Sequence, residues 1–292
     1  MKQLVIISGK GGTGKTSIAA CFAALEKKRG AFAPVIVDCD VDAPNLHLLL
    51  KGKVINFAPF SGPERAVINR ARVSDPDKCE NSCAFKAISG FEVDPFSCVG
   101  CGVCRLVCGE DAVQMAEREA GTIFESDTPY GKFFHAELLP GQPGFGGLVT
   151  ALRVKGEAEA LRRTDSLLLI DGSPGVGCQV IASLTGCDLA LVVTEPGKGA
   201  FHDLDRIHQL LRFFGMKALV MINRYNLDRT LMKEIERYCL NHDLEIAGRI
   251  PVNDLFRQAV LAGKPAVEMG DEKLNPWIEE AYRNTRQALY GV

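Results

Sequence analysis

No apolar run in this 292-residue chain approaches the roughly 20 consecutive residues of a bilayer-spanning helix, so a transmembrane protein is not expected. Met1 leads directly into a strand-like stretch without the charged-then-apolar leader of a secreted protein, which points to the cytoplasm. Positive charge is not in excess either. The 34 Lys and Arg against 36 Asp and Glu give a net charge of −2, which removes the broad basic field of a sequence-independent nucleic-acid binder. No nucleic-acid partner is expected, although a local basic patch stays open. Low-complexity segments and tails are missing. Hydrophobic residues at 47% with charged residues at 24% exclude a disordered or fibrous chain. The length suits two average domains, or one large α/β domain with an insertion.

Cysteine, by contrast, is plentiful. Six of the 11 fall between Cys79 and Cys108, and in a reducing compartment thiols at that density read as metal ligands rather than structural disulfides. Cys21, Cys39, Cys178, Cys187 and Cys239 are scattered.

Apolar runs of strand length precede helical patterns at Leu4–Ile7, Val35–Val37, Leu167–Ile170, Leu189–Val193, Ala218–Ile222 and Glu245–Ile250. This alternation predicts an α/β fold with a mostly parallel sheet and helices on both faces. The rhythm breaks over 53–147 and resumes with a helical pattern at Leu148–Arg163, so residues 1–52 and 148–292 form one domain carrying an insertion.

The insertion contains a repeat. Asp75-Pro76-Asp77-Lys78-Cys79 matches Asp94-Pro95-Phe96-Ser97-Cys98, and Cys83 through Ile88 matches Cys108 through Val113. The anchors are 108 − 98 = 10 apart in the second copy and 83 − 79 = 4 in the first, so the first copy has lost six residues.

After the first strand comes Gly9-Lys10-Gly11-Gly12-Thr13-Gly14-Lys15-Thr16, followed by the helical Ser17–Arg29. Glycines let successive backbone N–H groups turn toward phosphate oxygens. Lys15 supplies charge at the outer phosphates, Thr16 can ligate Mg²⁺, and the helix N-terminus opening at Ser17 favours the anion. The first lysine, Lys10, marks the deviant Walker A loop of the P-loop family that includes MinD, ParA, Mrp and the nitrogenase iron protein, which the chain resembles over most of its length outside the insertion. The resemblance implies an ATP-hydrolysing dimer, with itself or with a similar ATPase, in which Lys10 reaches the partner's phosphates.

Further site residues follow from pattern and resemblance together. Asp38-Cys39-Asp40-Val41-Asp42 closes a strand where ligands meet a parallel sheet. By resemblance Asp40 positions the attacking water and Asp38 touches the magnesium shell, while Asp42 reads equally as a turn residue. Leu167–Ile170 ending in Asp171 has the Walker B form, whose Asp holds Mg²⁺, and the loop Gly172–Gly177 offers the Gly175 N–H to the γ-phosphate. Cys178 reads as a small buried Cys by residue type, and as a cluster ligand by likeness to the nitrogenase iron protein. Asn223-Arg224-Tyr225-Asn226 lacks the final carboxylate that a guanine reader needs, which favours adenine, with Asn223 at its edge and Pro251 beside it. In the Pro251-Val252-Asn253 loop, Asn253 replaces the family's Asp and its role stays open.

Cys98, Cys101, Cys104 and Cys108 carry the spacing of a bacterial ferredoxin half, whose fourth thiolate crosses to the other cluster. By the repeat alignment Cys83 therefore completes a [4Fe–4S] cluster on Cys98, Cys101 and Cys104. The six-residue deletion removes the second cluster and leaves Cys79 and Cys108 as neighbouring orphans. Zinc fits less well, since zinc ribbons prefer two separated Cys-x-x-Cys pairs. The resemblance narrows to MinD-superfamily ATPases with an inserted ferredoxin-like α+β domain, here about 70–118. Such proteins usually carry two cluster motifs, and a lysine-bearing segment where this chain has Gly144-Phe145-Gly146-Gly147.

Three functions are therefore expected in order: ATP-gated redox chemistry with an unnamed redox partner, cluster or metal-cofactor assembly with an unnamed acceptor, and MinD-like positioning with the cluster as a sensor. The mixed charges of Trp277–Tyr290 argue against a direct membrane anchor.

Overall fold

The computed structural model describes residues 1–30, 33–142, 145–163 and 166–291. Gly144, one of the four residues in the segment without a lysine, lies outside them. In chain order the elements are β1 Lys2–Ser8, α1 Lys15–Arg29, β2 Val35–Asp38, α2 Leu46–Leu50, β3 Lys53–Ile68, α3 Pro76–Asn81, β4 Ile88–Ser89 and β5 Glu92–Val93. Then follow α4 Val103–Cys108, β6 Val113–Thr128, β7 Gly131–Leu138, α5 Gly146–Leu161, β8 Leu167–Pro174, α6 Cys178–Leu184, β9 Leu189–Thr194 and α7 Ala200–Phe213. The chain closes with β10 Ala218–Asn223, α8 Arg229–Asn241, β11 Glu245–Ile250, α9 Leu255–Ala262 and α10 Asn275–Tyr290.

Nine strands form one sheet in the order β11-β10-β9-β1-β8-β2-β7-β6-β3. The pairs from β11 through β7 are parallel. All six apolar runs in the sequence are strands here; the five inner ones are apolar because a central parallel strand is buried on both faces, while β11, at the edge, admits Glu245 and Arg249. On β1, Leu4 and Ile6 join the core under α1 and α10 with Phe22, Ile278 and Ala281, while Val5 and Ile7, of opposite parity, are fully buried as well. The apolar side of α10 belongs to this core through Ile278, Ala281 and Leu289.

The chain divides into two compact units, one comprising 1–57, 123–136 and 144–292 and the other 58–122 with 137–143. The boundaries fall within β3, β6 and β7. These three long strands lie in the stretch read from sequence as an irregular insertion, and β7 pairs with β2 of the nucleotide unit.

The second unit holds α3, α4 and the antiparallel pair β4–β5 around a small core of Ala66, Ile88, Cys104, Ala112 and Val113. The repeat is visible in its burial: Ala87 and Ala112 correspond, as do Ile88 and Val113, and all four are buried. Asp75 caps α3 by accepting from the Lys78 N–H at 3.1 Å, and the matching Asp94 accepts from the Phe96 N–H at 3.0 Å.

Candidate functional site

The glycine loop follows β1 and ends at Gly14, whose φ of +94° suits glycine, and a Cβ there would meet the Asn223 amide at 2.5 Å. Gly11, Gly12, Thr13, Gly14, Lys15, Thr16 and Ser17 line a cavity of about 570 Å³ together with Asp40, Asp42, Gln179 and Arg224. Gly9 stands outside it, against the Asp203 backbone.

Lys15 is the centre of charge. Its Nζ is 3.0 Å from Asp171 and 3.1 Å from Asp40, and the lysine side chain is only 5% exposed. Burial works against its charge, but Asp171, Asp40 and Asp38 hold it more basic than a free lysine. Burial likewise pushes the Asp171 and Asp38 carboxyls upward, opposed in each by Lys15. Asp38 accepts from the Asp40 N–H at 3.0 Å and the Leu46 N–H at 3.3 Å, so it braces the turn that carries Asp40.

Asp171 keeps one carboxylate oxygen buried without a hydrogen-bond partner, and the Thr16 side chain faces the same carboxylate. An orphaned anionic oxygen beside a hydroxyl suits a hard divalent cation, so the residues fit Mg²⁺.

Lys10 points elsewhere. Its Nζ is 3.1 Å from Glu195, which also pairs with Arg224 at 2.5 Å, and Arg224 donates to the Gly12 carbonyl at 3.0 Å. Burial works against the Glu195 charge, yet Lys10 and Arg224 hold its carboxyl below the ordinary range. Arg224 has φ +52°, an uncommon conformation for a non-glycine residue. The Gly175 N–H donates to the Ser8 carbonyl at 2.8 Å, tying the loop after β8 to the end of β1, and Gln179 on the first turn of α6 donates to Asp42 at 2.8 Å in the turn after β2.

A second cavity of about 250 Å³ is lined by Gly14, Ser17, Asn223, Pro251, Asn253 and Phe256 among others. The Asn223 amide donates to the Thr13 carbonyl at 2.7 Å. Asn226 accepts from the Val252 N–H at 2.7 Å, and Asn253 accepts from the Leu255 N–H at 2.8 Å at the start of α9.

In the second unit Cys83, Cys98, Cys101 and Cys104 line one cavity. Burial raises the Cys104 thiol, with Cys98 and Cys101 adding to the rise, and the Ala87 N–H donates to the Cys83 sulfur at 3.3 Å. Cys79 and Cys108 are joined by a disulfide with Cα atoms 5.8 Å apart. Among the described residues, no three His, Cys, Asp or Glu side chains gather closely enough to hold a single metal ion.

One expectation is corrected. Cys178 is exposed, not buried, because it opens α6 directly after a glycine-rich loop, and α6 reaches the interior only from Val180. Sequence reasoning missed Glu195, Arg224 and Gln179 as site residues. Glu195 and Arg224 are 29 positions apart, so no local spacing signals their pairing.

No helix among the described residues is long and apolar enough to cross a membrane. Residues 4–266 match the family described as CbiA: CobQ/CobB/MinD/ParA nucleotide binding domain. An uncharacterized protein of Methanocaldococcus jannaschii is 33% identical over 98% of this chain and 97% of its own length. In fold the chain is similar to the cell division ATPase MinD of Pyrococcus furiosus, with a TM-score of 0.59 at 18% identity over 98% of both chains. It is equally similar to MinD of Pyrococcus horikoshii, solved with Mg-ADP, with a TM-score of 0.59 at 17% identity over 96% of this chain and 94% of that one. Its matched residues contain the glycine loop, Asp40, Asp171 and Asn223, and the chain belongs to the CobQ/CobB/MinD/ParA nucleotide-binding family.

Proposed function

We propose that the chain is an ATP-hydrolysing, dimerising switch whose turnover gates electron transfer from one [4Fe–4S] cluster on Cys83, Cys98, Cys101 and Cys104. The cluster would sit in a ferredoxin-like module of about 70–118, inside an insertion of 53–147 in the ATPase domain. One observation carries the reading: these four cysteines share a cavity, while the other two of the repeat, Cys79 and Cys108, are bonded to each other.

At the nucleotide, Lys15 would exchange its two carboxylates for the outer phosphates. That exchange frees Asp40 to orient the attacking water. Mg²⁺, when bound through Thr16 and Asp171 with Asp38 behind them, supplies charge compensation at the β- and γ-phosphates. Gly175 would leave the Ser8 carbonyl to meet the γ-phosphate. Lys10 would leave Glu195 for the partner protomer's phosphates, in a homodimer or with a similar ATPase. Adenine suits the second cavity, since the Asn226 carbonyl is already taken by Val252 and the carboxylate on the lining, Asp254, is already paired with Arg257.

The cluster-carrier reading also has an observation in its favour, the exposure of Cys101, through which an acceptor could reach the cluster. The test is to reduce anaerobic protein and follow oxidation of the cluster by a dye acceptor with MgATP or MgADP, alongside transfer of iron to an apo-ferredoxin. Gated redox predicts faster oxidation with MgATP and a retained cluster. Equal rates overturn gating, and iron transfer to the acceptor favours the carrier.

A further inference from the structure

Side chains from three other elements hold the turn after β2 that carries Asp40. Lys15 of α1 pairs with the Asp40 carboxylate at 3.1 Å, Ser173 of β8 donates to the Cys39 carbonyl at 2.6 Å, and Gln179 of α6 donates to Asp42 at 2.8 Å. Gln179 is fixed at both ends of its amide. Its nitrogen donates to the Asp42 carboxylate, while its carbonyl oxygen lies 3.1 Å from the Ser173 hydroxyl, whose one proton is shared with the Cys39 carbonyl. Ser173 is only 1% exposed, so the bridge has a buried anchor. Its other end is the exposed part of the turn, at Asp42 and Ala43. Gln179, Asp42 and Asp40 all line the nucleotide cavity.

The exchange proposed above takes Lys15 away from Asp40 and gives it to the outer phosphates. Asp40 then depends on what holds its backbone. Asp38 accepts the Asp40 N–H at 3.0 Å, Ser173 holds the preceding carbonyl, and Gln179 holds the turn two residues further on.

We infer that Gln179 is a positioning residue for ATP hydrolysis, an inference that rests on the ATPase reading above. Through Asp42 it fixes the turn, so that the Asp40 carboxylate keeps its aim on the attacking water once Lys15 has released it. The glycine loop and Lys15, which bind the phosphates, are not part of this bridge. Its loss therefore falls on turnover and not on affinity.

The test measures kcat, KM, equilibrium ATP affinity and thermal unfolding of the full chain and of its Gln179→Ala, Asp42→Ala, Asp42→Asn and Gln179→Ala/Asp42→Ala variants. Each single alanine variant should lose about tenfold in kcat with ATP affinity within about twofold of the parent, because a 1 Å misplacement of a reacting group costs up to about 10²-fold. The double variant should lose no more than either single one, since both remove the same bridge. Asp42→Asn, whose side-chain oxygen still accepts from Gln179, should keep most of the parent kcat. Parent-like kcat in both alanine variants, even with a lowered unfolding temperature, overturns the inference and leaves a structural contact. A loss of about a hundredfold in the double variant overturns it as well, because the two residues would then act separately. A parent chain that binds ATP without hydrolysing it overturns the ATPase reading, and the positioning role with it.

Discussion

The two units reach a defined site by different means. In the nucleotide unit a large core of doubly buried strands holds three carboxylates around one buried lysine. In the cysteine unit the buried apolar cluster has five members among the described residues, the helices are short, and a disulfide ties α3 to α4. A core that thin seldom folds a small unit without a disulfide or a metal centre. The first site is thus a product of packing, whereas the second depends on the chemical state of its cysteines.

If the two sites are held independently, each can be broken without the other. Lys15→Ala should abolish ATP binding, measured by calorimetry, while leaving the iron content of the second unit at its parent value. Simultaneous loss of both would mean that the contrast is wrong. In the opposite direction, Ser at Cys83, Cys98, Cys101 or Cys104 should empty or labilise the proposed cluster while ATP affinity in the absence of turnover stays within about twofold of the parent. Ser at Cys79 or Cys108 should spare the cluster. Iron lost in Cys108→Ser but kept in Cys83→Ser would make the four consecutive cysteines the ligands.

Much of the nucleotide unit is legible because burial on both faces forces continuous apolar runs, as in Leu167–Ile170 and Leu189–Val193, and because Gly14 and Lys15 answer to phosphate geometry. The strands β3 and β6 escape a reading of that kind. Lys53–Ile68 is mostly exposed, and Val113–Thr128 mixes buried and exposed positions, so neither shows an apolar run. The Lys10–Glu195–Arg224 triad is invisible for another reason: it joins the loops after β1, β9 and β10, which only the sheet order brings together.

Finer variants probe the nucleotide side. Asp40→Ala should still bind ATP but hydrolyse it about 10²–10⁴-fold more slowly, because orienting the water is a transition-state task and binding is not. Equal loss of binding would remove Asp40 from that role. Lys10→Ala should keep ATP binding by the protomer and weaken ATP-induced dimerisation, followed by light scattering. The smallest effect belongs to Glu195→Gln. Freeing Lys10 from a partly exposed ion pair should let ATP induce the dimer at protein concentrations about twofold to fivefold lower. An unchanged concentration dependence would show that Glu195 does not hold Lys10 back.

The contrast between a packed nucleotide site and a sulfur-built second site is tested most directly by iron and acid-labile sulfide analysis of an anaerobic preparation that also hydrolyses ATP. The account predicts about four irons and about four sulfides per chain, with the paramagnetic signal of a single reduced cubane. About eight irons, one zinc, or no metal in protein that turns over ATP would contradict it.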